Sequence, residues 1–449
     1  MIAPRAPTRL LPPLAALVLL SGLFTLPTQA SEGSTPTAPA AIPLEDLRIF
    51  ADVFNQIRSG YVEDIDDSTL LEYAIRGMLT ELDPHSAYLS RDALEDLQTT
   101  TSGEFSGLGI EVGMEGGFIQ VISPIDETPA ARAGLQSGDV LLELDGKSLK
   151  GMRLDEAIEL MRGPVGSDVT LMIGRPGESQ PFDVVLTREL ITVASVRHRM
   201  LEPGYGYLRI AQFQNKTGSD LEKALRALQK DEALKGLVLD LRNNPGGVLR
   251  ASVEVASAFL DGGLVVYTEG RLQNAQGRYS ASPGDLADGV PVVVLINSGS
   301  ASAAEIVAGA LQDRGRAVIM GTESFGKGSV QTILPLSEKH AIKLTTALYY
   351  TPNGRSIQAL GIEPDVPVER ANVTTLGRGA GRSESSLARH LESPTGNGDD
   401  GTASEQRARD ASELLRVDNQ LYEALTLLKG VNIFTRQGTR TAMADAPKP

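Results

Sequence analysis

Apolar and polar positions recur at two different periods along this chain, and the changes of period divide it. Between Leu44 and Tyr61, the residues Leu47, Phe50, Val53, Phe54 and Ile57 return every three or four positions, the spacing of one helix face. A second helix is predicted over about Ser68–Leu82, ended by the breaker DPHSAYL from Asp83 to Leu89. So few short helices make a poor core alone, which predicts that the apolar faces of this 44–100 region meet something else, such as a second subunit. From 101 to 190 the pattern shortens: GLGIEV, FIQVISPI, DVLLELDG and DVTLMIGR read as strands, with short helical pieces at Pro129–Ala133 and Leu154–Met161. That predicts a separate small, mainly-β domain.

Beyond Tyr205, unbroken apolar runs alternate with helical segments. YGYLRI, GLVLDLR, VVYT, PVVVLIN and AVIMG are separated by helices predicted at 218–230, 248–261 and 302–313. Strands apolar on both faces and spaced by helices predict an α/β core, here over 191–370. A connector rich in Gly, Ser, Thr and charges follows over 371–408, and its composition predicts disorder. A last amphipathic helix is predicted over about Asp410–Lys429, within a 409–449 tail, carrying Leu414, Leu415, Val417, Leu421, Leu425 and Leu428.

Totals remove several function classes. A net charge of −15 leaves no basic footprint for nucleic acid, so no nucleic-acid partner is expected. The absence of Cys removes disulfides, thiolate catalysis and Cys-type zinc sites together. His85, His198, His340 and His390 are scattered without ligand spacing, so neither a metal nor a cofactor is expected. Residues 1–30 set Arg5 and Arg9 before an apolar stretch, with Thr28-Gln29-Ala30 after it. This layout predicts a secretory signal, followed by a Ser/Thr/Pro/Ala-rich linker over 31–43. Pro12 and Pro13 argue against a membrane anchor.

Three serines stand at a strand-to-helix junction in LINSGSASAAEI, at Ser298, Ser300 and Ser302. Ser302 heads the predicted helix, where free amides and the helix dipole favour a developing anion, and the Ala303 amide is a candidate oxyanion donor. Ser302-x-x-Glu305 is equally a capping box, a purely structural reading. A nucleophilic serine needs a base. Lys327 lies between Gly326 and Gly328 at the start of an apolar alternation, which predicts a strand presenting Lys327, Ser329 and Gln331 on one side. A buried lysine loses its proton more easily and can then serve as that base, with Gln331 orienting the amine. The turn Arg242 to Gly247 ends another apolar strand, and its glycines allow close backbone approach, offering Gly246 or Gly247 as the second oxyanion donor.

LDLRNNPGG, NSGSASAAEIVAGALQDRGRAVIMG, SFGKGSVQT and ALYYTPNGRSIQALGIEPDV together resemble the signature blocks of the carboxyl-terminal processing peptidases, or tail-specific proteases. The likeness runs from DPHSAYL to Val366, about two-thirds of the chain. It implies an α/β core of the crotonase/ClpP-like type with an inserted mainly-β PDZ domain and flanking helices. It implies Ser302 as nucleophile, Lys327 as base, Gln331 as its companion and Asp313 as a supporting acid, with Ala303 and Gly246 amides in the oxyanion hole. Ala304 and Ser324 depart from residues common in the family blocks, and neither belongs to the dyad.

SGLGIEV followed by SPIDETPAARAGLQSGDVLLELDG resembles a PDZ domain, with Gly107, Leu108, Gly109 and Ile110 as the carboxylate-binding loop. Arg162 resembles a position that couples the PDZ domain to the active site in relatives. The partners implied are protein C-termini, a homo-oligomer and an adaptor lipoprotein. The implied location is the bacterial periplasm, soluble or peripheral to the envelope, with substrates such as murein hydrolases. Two other readings stay open on the residues alone: a non-catalytic PDZ adaptor on a protease-like core, and a crotonase-like acyl-transfer enzyme.

Overall fold

A computed structural model describes residues 43–230, 232–374, 387, 389–391 and 411–444, with side chains to Phe434. The signal-like segment, its linker and most of the 371–408 connector lie outside the described residues.

Residues up to Glu72 form a unit distinct from Tyr73 onward. In the first, helix Leu44–Gly60 has the expected period, yet none of its residues is buried.

The second unit is built on a six-stranded sheet. Its order is Val196–Glu202, Tyr205–Ile210, Gly236–Asp240, Val292–Ile296, Ala317–Gly321, Val366–Pro367. The first pair is antiparallel and the others are parallel. Gly236–Asp240 and Val292–Ile296 are buried at every position, as unbroken apolar runs require. Leu237, Leu239, Val294 and Ile296 turn to one face, beneath helices Thr217–Gln229, Leu249–Ser257 and Ala303–Asp313. Val238, Val293, Leu295 and Met320 turn to the other, where Leu421, Ala424, Leu425 and Leu428 of helix Asn419–Ala444 cover them. The C-terminal helix expected to be continuous from 410 instead breaks at Asp418, between a short helix over 411–417 and Asn419–Ala444.

A second, five-stranded sheet joins Ala87–Leu89, Ala341–Tyr350, Gly263–Gly270, Gly277–Ala281 and Ser329–Pro335. Its long-range pairing of residues near 88 with residues near 342 has no local sequence signal.

The small β domain has a sheet ordered Ile110–Glu115, Phe118–Pro124, Val140–Leu144, Asp168–Gly174, Phe182–Thr187 around Leu108, Ile119, Leu141, Leu171 and Ala157. Ile110–Glu115 lies at the sheet edge, beside helix Leu154–Met161, whose Leu154, Leu160 and Met161 pack in the same cluster. Glu104–Gly107 leaves this sheet to pair with Glu189–Thr192, so the expected single strand GLGIEV is broken at Leu108–Gly109. Gly109 has φ +75°, and a Cβ there would stand 2.2 Å from the Thr128 side chain.

Candidate active site

Two adjacent parallel strands end at the same edge of the core sheet, where α/β folds place their ligands. Gly236–Asp240 runs into Leu241–Gly247, and Val292–Ile296 into Asn297–Ser302. The two turns are laced together. The Ser300 hydroxyl donates to Leu241 O at 2.8 Å, Ala301 N–H to Asn244 O at 2.9 Å and Asn243 N–H to Asn297 Oδ1 at 2.9 Å. Ser300 is therefore a buried brace, and Ser302 is held at φ 55°, ψ −112°, a backbone that non-glycine residues adopt only when their surroundings enforce it.

Enforcement comes largely from Glu305. This residue is fully buried, and its Oε2 accepts from Ser302 N–H at 2.7 Å and Lys327 N–H at 2.9 Å. Its Oε1 accepts from Gly326 N–H at 2.7 Å and the Ser324 hydroxyl at 2.6 Å. One carboxylate thus ties the backbone of Ser302 to the backbone of Lys327. Burial pushes the Glu305 carboxyl above the ordinary range, and these four donors oppose the shift. Tyr349 completes the clamp: its buried hydroxyl donates to Lys327 O, and its side chain lines the same cavity as Ser302.

Ser302 and Lys327 line one cavity of about 460 Å³, together with Ala303, Gly246, Gly247 and Gln331. Lys327 is not in the strand the alternation predicted. It precedes Ser329–Pro335, in a segment whose amides are taken by Glu305 and, at Gly328, by Gln358 Oε1 at 2.9 Å. Burial lowers the Lys327 pKa first and nearby Lys343 adds to the effect, while Glu305 and Asp83 oppose it. Gln331 lies on the wall without reaching the amine; its Nε2 donates to Ser329 Oγ at 3.0 Å and Thr345 Oγ1 at 3.3 Å.

The Ala303 amide heads helix Ala303–Asp313, an orphan donor by position. Gly246 packs against it: a Cβ on Gly246 would meet Ser302 Cβ at 2.7 Å and Ala303 N at 3.0 Å. In this conformation the Gly246 amide donates to Asn244 Oδ1 at 2.9 Å. Asp313 is remote from the cavity walls; it accepts from Asn353 N–H at 2.9 Å and Arg355 Nη2 at 2.8 Å, fixing the 351–355 turn.

Beneath the Leu241–Gly247 turn lies a charged cluster that sequence reasoning missed. Arg242 donates to both oxygens of Asp240, at 3.0 and 2.7 Å, and to both of Asp418, at 2.8 and 2.7 Å. Against the cost of burial, Asp418 and Asp240 raise the Arg242 pKa. Burial and Asp240 push Tyr207 up to about 12, its hydroxyl donating to Asp240 Oδ2 at 2.8 Å. Nothing local in the sequence links Arg242 to Asp418. Glu305 did carry a signal, as the one charged residue between Asn297 and Gln312.

In the β domain, Gly107, Leu108, Gly109 and Ile110 form the turn onto the edge strand Ile110–Glu115. Leu108 O and Gly109 O are bonded to Ala130 N–H and Ile125 N–H at 3.0 and 2.9 Å, which holds the loop's carbonyls on the far side from the edge. Arg162, just past helix Leu154–Met161, donates to Asp96 Oδ1 at 3.1 Å and Glu159 Oε1 at 3.0 Å. Asp96 belongs to helix Arg91–Ser102, whose Leu97, Thr100 and Thr101 form a wall of the Ser302 cavity.

Residues 204–368 match the model of peptidase family S41, residues 120–175 that of the PDZ domain, and residues 25–93 that of the activating protease CtpB N-terminal domain. A carboxy-terminal-processing protease of Bartonella bacilliformis is 49% identical over 397 residues, covering 86% of this chain and 89% of that one. The carboxy-terminal processing protease CtpB of Bacillus subtilis is 37% identical over 330 residues, covering 72% and 68%. A solved photosystem II D1 C-terminal processing protease aligns at 33% identity over 73% of this chain and 94% of that chain, with a TM-score of 0.43.

Proposed function

The chain belongs to peptidase family S41, as a carboxyl-terminal processing serine protease with a PDZ domain, and from that premise we propose that it cuts through a Ser302–Lys327 dyad. The observation that carries this reading is Glu305, which binds the Ser302 and Lys327 backbones to one carboxylate at the wall of a shared cavity. Neutral Lys327 takes the Ser302 proton as Oγ adds to the scissile carbonyl. The oxyanion is held by the Ala303 amide and by Gly246 or Gly247; a donating Gly246 must exchange Asn244 Oδ1 for the substrate. Lys327 then gives its proton to the leaving amine and activates the water that frees the acyl-enzyme.

The PDZ domain takes a protein C-terminus as an added strand along Ile110–Glu115, with the terminal carboxylate on the amides of the 107–110 loop. Arg162 transmits occupancy of that groove through Asp96 to the cavity wall. The exposed apolar residues Phe50, Val53 and Ile57 of helix Leu44–Gly60 support assembly into a homo-oligomer. The pattern of residues 1–30 supports export to the periplasm, with envelope proteins, murein hydrolases among them, as substrates and an adaptor lipoprotein as partner.

Cleavage of an unstructured protein by Ser302→Ala and Lys327→Ala tests the dyad. Each should lose activity by a factor on the order of 10⁴ or more. The groups facing Lys327 are Lys343, Glu305, Asp83, His85 and Tyr349. Burial and Lys327 itself keep the His85 imidazole below its ordinary range, so a rise in rate above neutral pH reports on Lys327 rather than on His85. In the wild type, kcat/KM should rise with pH through a lysine pKa below its ordinary 10.5. Retained cleavage in either variant, or a rate that falls between pH 6 and 9, removes the dyad.

A further inference from the structure

The cavity that holds Ser302 contains two lysines, Lys327 and Lys343, and none of the acidic residues among the described residues lines it. A peptidase needs one neutral lysine at its serine; the second has no place in that chemistry. Lys343 is half-buried in strand Ala341–Tyr350, paired with Ala87 on one side and Ile333 on the other. Ile333, Gln331 and Lys343 are all cavity walls, so the strand pairing presents Lys343 where a bound chain passes.

The two nearby carboxylates are already committed. Asp83 Oδ1 accepts from His85 N–H at 2.8 Å, Ser86 N–H at 2.9 Å and Thr345 Oγ1 at 3.1 Å, and its Oδ2 from the Ser86 hydroxyl at 2.6 Å. Against partial burial, these donors hold the Asp83 carboxyl below its usual range. Glu305 is saturated by its four donors. The Lys343 side chain has neither a hydrogen bond nor an ion pair among the described residues. Two lysines on one wall, with no acidic side chain lining the cavity beside them, give that wall a positive potential. A site built this way stores attraction for an anion.

We propose that Lys343 is a carboxylate anchor of the catalytic cleft, binding an acidic group of the substrate beside the bond that Ser302 cuts. The group is either an Asp or Glu side chain near that bond or the free terminal carboxylate of a short tail. This specificity role rests on Ser302 and Lys327 being the dyad, and bound substrate supplies the anion that the cavity lacks. Lys343 also raises the neutral fraction of Lys327, an effect equal for every substrate, so only discrimination between substrates reports on anchoring.

The experiment uses the full chain and a peptide series in which Asp, Asn or Lys is placed in turn at each position flanking the cleaved bond. A second series carries tails of one to four residues, each as free acid and as amide. The measured quantity is kcat/KM on its high-pH plateau. Wild type should prefer the acid over the matched neutral peptide by about tenfold or more at one position. That preference should collapse to within about twofold in Lys343→Gln, persist in Lys343→Arg and reverse toward Lys peptides in Lys343→Glu. Loss of preference in the side-chain series names Asp or Glu, and loss in the amide series names the terminus. An amide effect that survives Lys343→Gln belongs to the PDZ loop. Equal preferences in wild type and Lys343→Gln overturn the anchor, even where loss of cleavage in Ser302→Ala and Lys327→Ala upholds the dyad. Product inhibition supplies a readout without any variant: the acidic product should inhibit wild type about tenfold more strongly than its amide, and equal inhibition refutes the proposal.

Discussion

The turn around Ser302 and the junction between the PDZ domain and the core are held by opposite means. At the turn, buried carboxylate, hydroxyl and amide groups meet at full hydrogen-bonding capacity around Glu305. At the junction, two of the links are exposed ion pairs: Arg162 to Asp96, with side chains 36% and 62% exposed, and Lys216 to Glu104, with 60% and 22%. A buried network of this kind is costly to leave half-made and so specifies one geometry. An exposed pair is worth about 0.2–1 kcal/mol and can be exchanged for water within ordinary motion. The protease therefore has a Ser302 backbone set in advance, and exposed ion pairs at its PDZ junction that cost little to exchange.

Removing Glu305 should break that comparison most severely. Glu305→Ala leaves three backbone amides and the Ser324 hydroxyl without their acceptor, each at a cost of about 1–3 kcal/mol if buried. Glu305→Gln keeps the shape but turns an amide NH₂ toward donors. Both variants should lower kcat by roughly 100-fold or more, with KM changed far less, because a small displacement of Ser302 against Lys327 spoils attack geometry. Steady-state kinetics beside thermal unfolding separates the two costs. A Glu305→Gln enzyme with near wild-type kcat would mean that Ser302 keeps its φ of 55° without this carboxylate.

The pair Arg242–Asp418 lies between the two extremes, with side chains 12% and 27% exposed. It joins Asp418, which caps the start of the C-terminal helix by accepting from Leu421 N–H at 3.0 Å, to Arg242 of the Leu241–Gly247 turn. Asp418→Asn should cost about 1–3 kcal/mol of stability, seen as a lower urea midpoint. It should also weaken protection of the Gly246 amide from hydrogen exchange, since that amide donates to Asn244 Oδ1 of the same turn. A lower midpoint with unchanged exchange would confine Asp418 to packing of the helix.

What sequence reading reached, and what it missed, follows from how far each interaction spans. Ser302 and Lys327 stand in short motifs where glycines and serines mark turns directly. The α/β core was legible because strands buried on both faces leave continuous apolar runs at 236–240 and 292–296. Glu305 was visible only as a local cap, since three of its four partners lie 19 to 22 residues away. Arg242 and Asp418 are separated by 176 residues, and the pairing that places Lys343 beside Ala87 spans a still longer gap. Lys327 was expected in a strand because alternation begins there, but its amide goes to Glu305 rather than to a ladder partner. The period of a sequence records what is buried; it does not record which carboxylate claims a backbone amide.

The smallest expected effect tests the weaker half of the comparison. Arg162→Ala removes one exposed ion pair and should change global stability by less than about 1 kcal/mol. If Asp96 carries PDZ occupancy to Leu97, Thr100 and Thr101, a peptide that fills the PDZ groove should alter cleavage of a second, PDZ-independent substrate in the wild type. One such pair can supply a coupling of at most about fivefold, and Arg162→Ala should abolish it while leaving peptide affinity for the groove within about twofold. Asp96→Asn should behave in the same way, because the pair has two ends. Coupling that survives in both variants would assign communication to the Lys216–Glu104 pair and to the backbone bond from Asn215 N–H to Thr101 O, at 3.0 Å. That route enters the same helix about one and a half turns beyond Asp96, at Thr101, which is itself a wall of the cavity.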